Sequence, residues 1–99
     1  SFFFFFKIEE FILTLKDEKE IPSILETLKH QPSLGKDIEA LEKKGPNLFL
    51  LKFSGPNSYK MDQLKSEATT ELNQFPSFRY LEYNSFQHGI GEFRLLQAK

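Results

Sequence analysis

The heptapeptide Asn47 to Phe53, NLFLLKF, is bracketed by the same tripeptide on both sides, Gly45-Pro46-Asn47 before it and Gly55-Pro56-Asn57 after it. Each Gly-Pro pair ends the element ahead of it, because proline fixes its own φ and pushes the preceding residue out of the α region. Between the two stops, Leu48, Leu50 and Lys52 alternate with Phe49, Leu51 and Phe53. Both faces are apolar until Lys52, which is the pattern of a strand covered on both sides rather than of a half-solvated edge. The heptapeptide is therefore expected to be a central strand.

The flanking sequence supplies the other elements. Ile21 to His30 places Ile21, Ile24, Leu25 and Leu28 on one helical face, with Pro22 suited to the first turn and Glu18 and Glu20 near the positive end of the dipole. Pro32 stops this helix. Lys36 to Lys44 reads as a second short helix, with Ile38 and Leu41 inward and Gly45 as its end. After the central strand, Met61, Leu64, Ala68, Leu72 and Phe75 recur at helical spacing, so a helix is expected from Asn57 or Ser58 to about Asn73. Phe78 to Asn84 and Glu92 to Ala98 read as an antiparallel hairpin around the glycine-containing connection 85–91.

Residues Ser1 to Asp17 fit two periods. Phe4, Phe5, Ile8, Phe11, Ile12 and Leu15 share a helical face, whereas Phe, Ile and Thr favour strands by residue type. Strand is the reading taken, with a bulge or a break at Glu9-Glu10 giving Phe2 to Ile8 and Phe11 to Leu15. The result is one small α/β domain, with α+β as a variant, spanning residues 1–99. Its order is strand, helix, short helix, strand, helix, strand, strand around a small mixed sheet of three to four strands. A helical crossover would make the strands at Phe11 and Leu48 parallel neighbours.

This order resembles that of the thioredoxin-like core, with Pro76 ahead of the third strand. The chain has no cysteine, so the redox chemistry that the resemblance implies does not come with it. If the Phe run forms its own strand, a ferredoxin-like α/β sandwich is the alternative.

Function is constrained mostly by exclusion. Thirteen Lys and Arg against fourteen Asp and Glu give a net charge of -1, so no overall field draws nucleic acid or an anionic membrane. Without cysteine there is neither a thiolate nucleophile nor a cysteine zinc site, and a reducing, cytoplasmic location is expected. No apolar run approaches the ~20 residues of a membrane-spanning helix. The chain begins with Ser, which fits a processed product or a piece of something longer.

His30 and His88 have no second ligand at metal spacing on their own elements. Neighbouring Glu9 and Glu10 would point to opposite faces of a strand and cannot flank one bond. The turn Ser54 to Ser58 with Lys60 is a weak anion candidate, since Pro56 removes a backbone donor and no phosphate-loop pattern is present. No catalytic residue, metal or cofactor is assigned, and an enzyme is disfavoured. Glu67 and Glu71 are like charges one helical turn apart, expected either to face water or to meet a cationic neighbour.

Two segments remain as interaction candidates. Phe2, Phe3, Phe4, Phe5 and Phe6 cannot all face one core from a strand, so part of the run needs another cover. Each Phe left wet forgoes roughly 1.5–3 kcal/mol. A protein partner, with a second copy of the chain foremost, is the expected cover, with a crossing helix of the same domain and then a membrane surface as the alternatives. Arg79, Tyr80, Tyr83, Phe93 and Arg94 form the alternative, a ligand- or nucleic-acid-binding face of a small regulatory domain. No RNP1-like pattern supports it, so nucleic acid is the lesser expectation.

Overall fold

A computed structural model of the chain describes residues 8–54 and 61–84, with only the backbone of Ile8 and Glu9. The elements run β1 (Ile8–Leu15), α1 (Ile21–His30), α2 (Pro32–Gly35), β2 (Ile38–Gly45), β3 (Leu48–Ser54), α3 (Met61–Leu72) and β4 (Phe78–Asn84). Among the described residues the sheet has the strand order β2-β3-β1-β4, and every neighbouring pair is antiparallel. A β-α-β-β-α-β chain with its first and third strands innermost has the split βαβ arrangement of the ferredoxin-like sandwich.

The central strand is where the sequence places it. β3 lies between β2 and β1, and Leu48, Phe49, Leu50, Leu51 and Phe53 are all buried. Phe49, Leu51 and Phe53 join Phe11, Leu13 and Leu15 of β1 and Leu81 of β4 in one core. From above, that core is closed by Ile24 and Leu28 of α1, Leu34 of α2, and Met61, Leu64, Ala68 and Leu72 of α3. Both long helices thus lie on one face of the sheet, each through the apolar stripe read from its spacing.

Three expectations are corrected. The first is the segment from Lys36 to Lys44, which is mostly the edge strand β2 and not a helix. Ile38 and Leu41 do both pack against the core, but a register shift between Ile38 and Ala40 brings them to the same face. In an unbroken strand, residues three apart would face opposite ways. Helix-forming Ala, Leu, Glu and Lys yield here because β3, buried on both faces, needs a partner for its free backbone edge.

The second correction follows from the first. The strands at Phe11 and Leu48 are neighbours as expected, but antiparallel, with Ile12 opposite Leu50. The additional strand and its hairpin turn reverse the chain once more before β3 begins. The additional strand also departs from the element order on which the likeness to the thioredoxin-like core rested.

The third concerns Glu9-Glu10, where β1 runs through without a break and pairs regularly with β3 from Ile8 to Thr14. The second strand of the expected C-terminal hairpin and the Phe run lie outside the described residues.

Short polar contacts from the loop between β1 and α1 hold the connections in place. In the two-residue turn Pro46-Asn47 between β2 and β3, Asn47 takes φ +58°. Proline followed by a residue tolerant of positive φ is the pair that a type II turn favours. The Asn47 backbone N–H donates to Glu18 Oε2 at 2.9 Å, and its side-chain Nδ2 donates to the Lys16 carbonyl at 3.1 Å. Its own carbonyl accepts from the Leu15 N–H at 3.0 Å. Two residues along the same loop, Glu20 Oε1 accepts from the buried Ser77 backbone N–H at 3.0 Å, fixing the approach to β4. The two carboxylates expected to serve the α1 dipole instead tie down other turns.

The Lys43 ammonium, hydrogen-bonded to the Glu18 carboxylate at 2.9 Å, and the Asn47 N–H hold Glu18 below the usual carboxylate range. A depressed folded pKa stabilises the fold above the unfolded value of 4.5 and ceases to do so as pH falls through the folded value. Urea titrations from neutral pH down to about pH 2 are expected to show stability falling on this limb, and Glu18→Gln should flatten that fall while lowering stability at neutral pH. At Gly35, an added Cβ would stand 2.0 Å from the Lys29 carbonyl oxygen, a backbone atom that cannot step aside. Gly35→Ala should therefore lower stability by about 1–3 kcal/mol in the same assay.

Candidate interaction surface

The second face of the sheet, opposite the helices, carries the most unusual chemistry among the described residues. Alternation along β1 sends Glu10, Ile12 and Thr14 there, and the antiparallel register brings Lys52, Leu50 and Leu48 of β3 opposite them. Glu42 of β2 lies opposite Leu50, while Asn84 and Tyr80 of β4 lie opposite Glu10 and Thr14.

One end of this face is a polar strip across all four strands. Asn84 Nδ2 donates to Glu10 Oε1 at 3.2 Å, and Lys52 Nζ lies 3.6 Å from Glu10 Oε2 and 3.1 Å from Glu42 Oε1. Lys44 Nζ adds a second cation 3.2 Å from the same Glu42 oxygen. The strip is neutral, two ammonium groups to two carboxylates. Its Lys52 hydrogen bond, then that of Lys44, holds Glu42 below its ordinary pKa, and Glu42 in turn raises Lys52 above its own. Because the charges cancel, the strip offers no net attraction for an ionic ligand.

The other end is apolar. Ile12, Leu48 and Leu50 form a small cluster of their own, separate from the helix-side core. Leu50 is 2% exposed and Leu48 is 9% exposed. No described helix packs against them, because α1, α2 and α3 all pack into the other cluster. Two side-chain oxygens at this face, Thr14 Oγ1 and Asn84 Oδ1, are buried without a hydrogen-bond partner. The second face thus holds buried apolar side chains beside buried polar atoms without partners.

Of the residues singled out from sequence, Tyr80 and Tyr83 are not brought together. A register shift opposite Thr14 and Leu15 makes Arg79 the extra residue of a bulge, so that Phe78 and Leu81 both reach the helix-side core. Tyr80, opposite Thr14, stands on the second face and is 44% exposed. Tyr83, opposite Phe11, turns toward α3: its ring centroid is 5.2 Å from that of Phe11, Lys65 Nζ is 5.2 Å from the Tyr83 centroid, and its hydroxyl donates to Asp62. Packing of the hydroxyl end, then the Asp62 carboxylate beside it, pushes the Tyr83 pKa up to about 12. Arg79 is exposed. Phe93, Arg94 and the Phe2–Phe6 run lie outside the described residues, as do His88 and residues 55–60 of the anion candidate.

His30 projects from the end of α1, its Nδ1 2.9 Å from the Glu26 carbonyl and 3.3 Å from Glu26 Oε2. It borders an open notch of about 440 Å³ with Glu26, Thr27, Gln31, Pro32 and Glu71. Among the described residues no three His, Asp or Glu side chains group as metal ligands. The like-charged pair on α3 is held by the α1–α2 junction. Ser33 Oγ donates to Glu67 at 2.6 Å and Gln31 Nε2 donates to Glu71 at 3.3 Å, so neutral donors serve both carboxylates. Sequence spacing could not supply that pairing, because the donors lie more than thirty residues away from their acceptors.

No protein-family model, curated protein or solved structure matches this chain. Within the described residues no helix is long and apolar enough to cross a membrane.

Removing an unsatisfied buried hydroxyl while keeping the side chain's shape should relieve its desolvation cost. Thr14→Val is expected to raise the unfolding free energy by about 1 kcal/mol, read as a higher urea midpoint at unchanged m-value.

Proposed function

We propose that this chain is a non-catalytic protein–protein interaction module that associates with itself, or enters a larger assembly, through Phe2–Phe6. The observation that carries the reading is where the Phe run joins the fold. It precedes β1 by a single residue, Lys7, and β1 is an inner strand with β3 on one side and β4 on the other. The run is thereby joined in sequence to an inner strand of the sheet.

The helix-side core is built from residues of β1, β3, β4 and all three helices. Phe11, Leu13, Ile24, Leu28, Leu34, Leu51, Ala68 and Leu72 are all 0% exposed. A run of this size seeks apolar cover, and a second copy brings the same need with it, which makes a symmetric contact self-complementary. The alternative reading, a regulatory domain binding a ligand or nucleic acid through Arg79, Tyr80, Tyr83, Phe93 and Arg94, has less support. Stacking successive bases calls for aromatics on one platform, and Tyr80 and Tyr83 occupy opposite faces.

Size-exclusion chromatography with light scattering tests the proposal on the full chain and on a full-length Phe2→Ser, Phe4→Ser, Phe6→Ser variant. The unsubstituted chain is expected at twice the monomer mass or more, and the variant at the monomer mass. Two monomers, or two unchanged oligomers, would remove the Phe run as the contact.

A further inference from the structure

We draw no further inference here: the strongest candidate, the open notch at the C-terminal end of α1 lined by Glu26, His30, Gln31 and Glu71, is a cluster of acidic and polar side chains where the described residues show neither a grouping of metal ligands nor a buried, unpartnered polar atom that would point to a ligand.

Discussion

β1 hydrogen-bonds along both of its edges, and the rest of the architecture depends on that. With β3 on one side and β4 on the other, it is the strand through which the two halves of the chain meet. An antiparallel ladder on each edge satisfies its backbone donors and acceptors, so β1 tolerates burial on both faces. Its side chains divide accordingly, with Phe11, Leu13 and Leu15 under the helices and Glu10, Ile12 and Thr14 opposite. The same position brings the start of β1 and the end of β4 to one end of the sheet. Both flanking segments, one rich in Phe and the other in mixed apolar residues, therefore depart from neighbouring points.

The loop from Lys16 to Glu20 converts this sheet into a closed fold by linking turns that are distant in sequence. Glu18 reaches Asn47 and Lys43, and Glu20 reaches Ser77, contacts spanning 29, 25 and 57 residues respectively. A carboxylate accepting a backbone N–H is a charge-assisted bond, shorter and stronger than its neutral counterpart. Positive φ at Asn47 is sustained by that bond on its N–H together with neutral hydrogen bonds on its carbonyl and its side chain. The first Gly-Pro-Asn tripeptide thus ends a strand and also supplies the residue on which the β1–α1 loop closes.

What was legible in the sequence, and what was not, turns on periodicity. β3 and the helices at Ile21 and Met61 keep an unbroken period, and each forms where its spacing says. β2 does not: Ile38 and Leu41 are three residues apart, the interval of a helix, and only a shift in pairing lets a strand aim both inward. Phe78 and Leu81 repeat the device across from Leu15 and Leu13. A bulge writes a helical interval into a strand, and a strand's need for a partner is invisible in its own residues. The polar strip on the second face was harder still, because Lys52 and Glu10 look like ordinary interruptions of apolar runs until β1 and β3 are placed side by side.

That placement explains why the interruptions are tolerated. Lys52 would break the apolar pattern of β3 at a cost if it stood alone, since an unpaired ammonium at 22% side-chain exposure is poorly hydrated. Between Glu10 on one neighbouring strand and Glu42 on the other, it is paired from both sides. Slipping either pairing by one residue would send the carboxylate to the helix-side core and leave Lys52 without that partner, a penalty well above what an exposed ion pair returns. The strip therefore discriminates against wrong registers more than it adds to stability. By fixing how β1, β3 and β2 align, it also fixes which apolar side chains stand together at the far end of the face. Ile12, Leu48 and Leu50 form a patch because Glu10, Lys52 and Glu42 permit only one alignment.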